Sequence, residues 1–274
     1  MSGIVETGSR MKALVTGAAG FIGSNFIHYI LRERPDWHLT ALDALTYAGN
    51  FENLSSLVQS GQIKFIKADI ADLAQCEPVF EQGFDVVVHF AAESHVDRSI
   101  FSAGEFVRTN VLGTQNLVDL SRKHKTGRFV HVSTDEVYGS LGPTGSSVES
   151  DPLAPSSAYS ASKAASDLMV LASYHTHSHD VVVTRCTNNY GPYQFPEKLI
   201  PLFVTNALED KPLPLYGDGM NVRSWLYVDD HCEAILRVAE KGRAGEIYNI
   251  GGGAESELPN VDVTRRILEL LDKP

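Results

Sequence analysis

An α/β fold built on a doubly wound parallel sheet is predicted by three observations. A short apolar strand, Met11 to Thr16, runs directly into the glycine turn Gly17-Ala-Ala-Gly20-Phe-Ile-Gly23 and then into helical periodicity from Phe21 to Leu31. Further apolar strands alternate with helical stretches along the chain, the pattern of a parallel sheet with helices on its faces. Polar residues gather just after the strands, where parallel sheets bind ligands.

Each element adds to this. Strand, glycine turn and helix in succession form a dinucleotide fingerprint, here spaced G-x-x-G-x-x-G. Gly17, Gly20 and Gly23 allow a tight turn and close backbone approach, and the helix N-terminus offers free N–H groups to a pyrophosphate. The second strand, Trp37 to Leu42, ends at Asp43, at the distance expected for a ribose-binding acid. A carboxylate there accepts from both ribose hydroxyls and repels a 2′-phosphate, which favours NAD over NADP. The third strand, Ile63 to Ala68, ends at Asp69-Ile70, a pair suited to an adenine edge. The fourth, Phe84 to Phe90, ends in Ala91-Ala92-Glu93-Ser94, small enough to let backbone approach a cofactor. Helical stretches are expected near 46–58, 72–82 and 103–124.

The fifth strand, Arg128 to Ser133, leads into Thr134, Asp135 and Glu136. Neighbours on a straight strand point to opposite faces, so this trio serves one site only if the strand bends there into a turn or helix. A Gly/Ser/Pro-rich loop from Gly139 to Ser157 is expected to cover the site. It feeds a helix near 155–177 that places Tyr159 and Lys163 on one face, a phenol beside an ammonium that can act as a base. His175, His177 and His179 read as solvated histidines at a helix end rather than as a metal site. After a sixth strand, Val181 to Thr184, comes the polar segment Arg185 to Tyr193. A helix opening at Lys198, a short strand at Pro212 to Tyr216 and a helix over Val228 to Val238 follow. A strand at Glu246 to Ile250 and an amphipathic helix at Val261 to Leu271 close the chain.

The domain expectation is a flexible leader over 1–10, an NAD-binding Rossmann domain over 11–187 and a smaller mixed region over 188–274, interleaved with late sheet elements. Of 274 residues, 43% are apolar and 21% charged, ordinary soluble usage. A formal charge of −11 argues against nucleic-acid binding. No stretch has the apolar length of a membrane span or the core of a signal peptide. Cys76, Cys186 and Cys232 lie far apart and read as reduced thiols of a cytoplasmic protein.

The motifs G-A-A-G-F-I-G (17–23), D-A-L-T-Y-A-G-N (43–50), A-A-E-S-H-V-D-R-S-I (91–100), S-T-D-E-V-Y-G (133–139) and Y-S-A-S-K-A-A-S-D (159–167) carry a resemblance. So do R-C-T-N-N-Y-G-P-Y-Q-F-P-E-K-L-I-P (185–201) and Y-G-D-G-M-N-V-R-S-W-L-Y-V-D-D-H (216–231). From about Met11 to about Gly252 the chain resembles the dTDP-glucose 4,6-dehydratases of the extended short-chain dehydrogenase/reductase superfamily. The glycine turn and Tyr-x-x-x-Lys are shared with epimerases and decarboxylases, whereas Thr-Asp-Glu is more specific to dehydratases.

The resemblance implies that Tyr159 takes the C4 hydroxyl proton of the sugar. Lys163 would lower the Tyr159 pKa and hold the nicotinamide ribose, and Thr134 would bond the C4 oxygen. Glu136 would remove the C5 proton and Asp135 would protonate the leaving C6 hydroxyl. Phe21, Ile22, Thr46, Asp69, Ile70, Ala91 and Ala92 would join the three glycines and Asp43 around NAD. Asn188 and Arg223 would hold the diphosphate, Lys198, Leu199, Pro214 and Tyr216 would surround the nucleobase, and Ser94 would contact the hexose. A homodimer is implied, through the helices near 103–124 and 155–177, as is a place in deoxysugar or antibiotic-sugar supply. Ser224 stands where the family has an acid, which is expected to perturb Arg223 modestly. The family continues past the final helix with a segment that closes the nucleotide site, so a chain ending at Pro274 is expected to be truncated or to bind nucleotide differently. A nucleotide-sugar 4-epimerase, which needs no acid pair after the threonine, and a non-catalytic NAD-binding scaffold or redox sensor are the alternatives.

Overall fold

The computed structural model describes residues 10–94, 102–142 and 145–274. All of the expected leader except Arg10, and the 95–100 part of the motif over 91–100, lie outside these residues.

Most strands of the main sheet are mainly apolar. β1 (Lys12–Thr16), β2 (His38–Asp43), β3 (Ile63–Lys67), β4 (Val86–His89), β5 (Arg128–Thr134) and β6 (Val181–Cys186) pair in parallel. β7 (Asn188–Tyr190) and β8 (Val222–Tyr227) leave this sheet, and β9 (Ile247–Ile250) rejoins it beside β6. The resulting order is β3-β2-β1-β4-β5-β6-β9, the doubly wound arrangement that the sequence predicts. A second sheet joins β7 to β8 in parallel and β8 to β10 (Glu257–Pro259) in antiparallel fashion.

Helices cover both faces. On one side α1 (Phe21–Glu33) delivers Phe26, Ile27 and Ile30 to Ala13, Val15 and Val130. On the other, Leu14, Val87 and Phe129 meet Phe80 from a helix that follows β3 and Leu117 from one that precedes β5. The alternation of Ala13 and Val15 against Leu14 is the period-two pattern of a strand buried on both faces. Among the described residues the other α-helices are α2 (Ser55–Gln59), α3 (Leu73–Phe80), α4 (Ala103–Phe106), α5 (Thr114–Lys123), α6 (Ala158–His177), α7 (Leu199–Leu208), α8 (Val228–Lys241) and α9 (Asn260–Leu270). α4 and α5 are one helix interrupted by a π-helical segment, Val107–Gly113.

Three expectations need correction. The helix expected near 46–58 shrinks to a 3₁₀ turn at Phe51–Asn53 and α2. Just before it the chain turns at Leu45, φ 55°, whose N–H donates to the Asp43 carboxylate. Pro212 to Tyr216 is not a strand; two prolines remove ladder donors, and Val222–Tyr227 takes the place beside β7. His179 is buried rather than solvated, between the hydroxyls of Ser121 (3.3 Å) and Ser173 (3.1 Å), while His175 and His177 are exposed.

Candidate active site

A cavity of about 410 Å³ lies across the C-terminal ends of the parallel strands, the position at which such sheets bind ligands. Its floor is the glycine turn. Gly17 sits at φ +66°, and a Cβ there would come within 2.5 Å of Ala91 N. A Cβ on Gly23 would fall 2.2 Å from Gly17 O. The turn is therefore packed against the end of β4 and against itself, and α1 begins at Phe21 behind Gly20, with no side-chain cap on its first N–H groups.

Asp43, at the end of β2, is buried; one oxygen accepts from Ala19 N at 2.9 Å and the other from Leu45 N at 2.7 Å. Burial pushes its pKa up, and these two donors pull it back. Asp69 is ion-paired with Arg108 at 2.7 Å and caps Ala71 N at 2.9 Å, and Ile70 is buried. Thr46, Ala91, Ala92 and Ser94 also line the cavity, as do Phe21 and Ile22.

β5 ends at Thr134, and Asp135–Tyr138 form a single 3₁₀ turn, the bend that a shared site for the trio requires. The Thr134 hydroxyl accepts from Glu136 N at 3.2 Å and donates to Asp135 Oδ1 at 3.3 Å. Gly139 closes the turn at φ +84°, where a Cβ would meet Ala154 O at 2.3 Å. Burial, then the neighbouring Glu136, raise the Asp135 pKa to about 6. Burial also raises Glu136, against the pull of Arg223 and Lys198. Thr134 and Glu136 line the cavity with Tyr159 and Lys163.

Tyr159 and Lys163 come from α6, which starts with a capping box between Ser157 and Ser160. The sequence reading has Lys163 lowering the Tyr159 pKa. The ammonium instead donates to Val132 O at 2.9 Å and lies 3.5 Å from His131 Nε2. The phenol stands well above its ordinary value, through burial first and then Glu136, with Thr134 pulling the other way. Burial lowers Lys163 itself to about 8.

Several residues that the sequence did not single out hold this arrangement. Asn110, in the π-helical segment, accepts from Glu93 N at 2.8 Å and donates to Glu93 O at 2.9 Å and Ser162 Oγ at 2.8 Å. It thus ties the strand end at 91–94 to α6, and π-helical bulges recur at functional sites. Asp167, one turn beyond Lys163, is fully buried and paired with Arg185 at 2.9 Å. Removing one partner of such a pair costs about 3–5 kcal/mol. Asp167 was legible as the next residue on the Tyr159–Lys163 face, and Arg185 as a cation closing an apolar strand. Nothing in the sequence marks Asn110.

The residues expected around the nucleotide are brought together only in part. Asn188 and Lys198 line the cavity. Arg223 is exposed on β8 yet close enough to act on both carboxylates. Leu199 packs with Phe203, Val263 and Ile267 in a separate apolar cluster, and Pro214 and Tyr216 are exposed, Tyr216 at 83%. Ser224 bonds Ser256 Oγ at 3.0 Å.

The raised Asp135 pKa has a consequence for stability. Between its ordinary value and about 6 the folded protein holds a proton that the unfolded chain has released, so stability falls as pH rises through that window. Asp135→Asn is therefore expected to stabilise the protein at neutral pH by on the order of 1–2 kcal/mol, with the difference vanishing near pH ~4. Urea unfolding at both pH values measures it.

The model of a family described as "NAD dependent epimerase/dehydratase family" matches residues 13–251. The dTDP-glucose 4,6-dehydratase of Streptomyces niveus is 53% identical over 263 residues, which cover 94% of this chain and 77% of that one. A crystal structure of dTDP-glucose 4,6-dehydratase from Streptomyces venezuelae with NAD bound superposes with a TM-score of 0.91 at 53% identity, over 96% of this chain and 82% of the other. A UDP-glucuronic acid 4-epimerase from Bacillus cereus, in complex with UDP-glucuronic acid and NAD, reaches a TM-score of 0.88 but 30% identity, over 96% and 84%.

Proposed function

The chain belongs to the NAD dependent epimerase/dehydratase family, and from that premise we propose that it converts dTDP-glucose to dTDP-4-keto-6-deoxyglucose with NAD as cofactor. One observation favours dehydration over epimerisation: Asp135 and Glu136 share a 3₁₀ turn at the cavity, and Asp135 retains a proton up to about pH 6. Inverting C4 needs no such pair.

The residues present fit the cofactor. The glycine turn has no room for a Cβ at Gly17 or Gly23, the α1 N-terminus carries no side-chain cap, and the Asp43 carboxylate stands at the end of β2. These would hold the pyrophosphate and a ribose. Asp69 and Ile70 would meet the adenine, with Phe21, Ile22, Thr46, Ala91 and Ala92 along the cofactor and Lys163 on the second ribose. NAD, when bound, supplies the hydride acceptor for C4 and the donor for C6, and brings a positive charge that eases ionisation of a buried phenol.

The chain's own groups move the protons. Tyr159 takes the C4 hydroxyl proton, and Thr134 bonds that oxygen. The C4 ketone acidifies C5, whose proton passes to Glu136. The C6 hydroxyl then leaves with the proton of Asp135, and Glu136 returns a proton to C5 once C6 is reduced. Burial raises both carboxyls, but Glu136 pushes Asp135 up further while Arg223 and Lys198 pull Glu136 down, which suits Asp135 as the acid and Glu136 as the base. Asn188, Lys198 and Arg223 serve the diphosphate, and Ser94 the hexose.

The test is incubation with dTDP-glucose without added cofactor, with the product identified by mass. Loss of one water and solvent deuterium at C5 is the expected result. An unchanged mass with C4 inverted would replace this reading by the epimerase.

We also infer a homodimer in the cytoplasm. Among the described residues no helix is long and apolar enough to cross a membrane. The π-helical segment and α6 pack side by side and expose Val107, Leu112, Leu168 and Met169, at 39–59% exposure. The double substitution Leu112→Glu with Leu168→Glu is expected to yield a folded monomer, read by sedimentation. A monomeric wild-type mass would overturn the dimer.

A further inference from the structure

Beneath the cavity, Arg185 joins two elements that reach the site from different directions. It lies at the end of β6 and is 2% exposed. Its Nε donates to Asp167 Oδ2 at 2.9 Å and its Nη1 donates to the Tyr138 hydroxyl at 2.8 Å. The guanidinium also stacks over the Tyr138 ring, 4.8 Å from the centroid. Asp167 stands one helical turn beyond Lys163 and two beyond Tyr159 on α6, and Tyr138 closes the 3₁₀ turn that carries Asp135 and Glu136. The Tyr138 hydroxyl passes on to Asn249 Oδ1 on β9 at 2.8 Å.

We propose that Arg185 is a positioning residue that sets the distance between the Tyr159–Lys163 pair and the Asp135–Glu136 pair, acting through Asp167 on one side and Tyr138 on the other. This rests on the dehydratase reading, in which the first pair works at C4 and the second at C5 and C6 of the same ring. Adjacent carbons leave little tolerance, so a small displacement of one pair against the other slows elimination more than oxidation. A guanidinium suits the task because its planar fork fixes two partners at once, whereas an ammonium is a point charge without that geometry. An ion pair serving only the core would be complete with Asp167. The second arm to Tyr138 is what reaches the acid–base turn.

Arg185→Lys keeps the charge beside Asp167 and loses the fork, but it disturbs a buried pair and can impair folding. Tyr138→Phe is the cleaner probe, since it removes one oxygen and leaves the ring under the guanidinium. With dTDP-glucose as substrate, Tyr138→Phe is expected to lower kcat about 10- to 100-fold with KM nearly unchanged. Reduced nicotinamide is expected to accumulate during turnover, because oxidation now outruns elimination. Its fluorescence and thermal unfolding are read on the same samples. Wild-type kcat in Tyr138→Phe, or a loss that tracks unfolded protein without any accumulation, overturns the inference while leaving the dehydratase reading intact. A wild-type protein that makes no keto-deoxy product overturns that reading and the inference with it.

Discussion

Glu136→Gln is expected to lower dehydration about 10²- to 10⁴-fold, the range of a lost general base. The amide matches the carboxylate in size and leaves the bond from the residue 136 N–H to the Thr134 hydroxyl in place. It cannot take the C5 proton. It also removes the charge that, after burial, raises Asp135, so the Asp135 pKa drops from about 6 and less of the acid carries its proton near neutrality. Oxidation at C4 depends on Tyr159 and is expected to survive. The variant should therefore reduce its cofactor on mixing with dTDP-glucose and then stall, with no solvent deuterium at C5. Rapid mixing with detection of reduced nicotinamide, followed by product mass, checks both halves. Full dehydration by Glu136→Gln would move the base elsewhere.

Gly23→Ala is expected to strip the protein of its cofactor. Its Cβ would sit 2.2 Å from Gly17 O and 3.1 Å from Ala18 Cα, both backbone atoms with no rotamer to retreat into. Relief requires α1 to lift away from β1, which spoils the N–H cradle at the same time. Overpacking of this kind costs about 1–3 kcal/mol. Gly20→Ala is the control, because its Cβ would meet only Gly17 O, at 3.2 Å. NAD released by denaturing each purified protein, with urea unfolding alongside, separates a local loss of the cradle from a general loss of folding.

Much of this architecture was legible because it rests on local patterns. The glycine turn between β1 and α1 and the α6 face bearing Tyr159 and Lys163 follow from residue spacing over a few positions, and the bend after Thr134 from the demand that Asp135 and Glu136 serve one site. What was not legible depends on groups far apart in the chain. The direction of the Lys163 ammonium is decided by Val132 O and His131, 31 and 32 residues away. Asn110 gains its role from Glu93 and Ser162, on two other elements. The misplaced strand at Pro212 to Tyr216 shows the reverse case, an apolar alternation overruled by proline chemistry that the same residues display. His179 reads as solvated from its place at a helix end, whereas tertiary contacts with Phe129, Ser121 and Ser173 decide its burial.

Asp43 limits how the cofactor preference of this scaffold can be re-engineered. Both of its oxygens are already engaged, one clasping the glycine turn at Ala19 and the other the Leu45 bend. The side chain that would discriminate between the two dinucleotides is thus also a bracket for the loop that cradles either of them. Exchanging it for a neutral or basic residue would unfasten the cradle as it changed the selectivity. A phosphate-accepting version would have to supply both hydrogen bonds from another group and place a cation in the 44–50 segment, which has none of its own, a route that takes several coordinated changes instead of one.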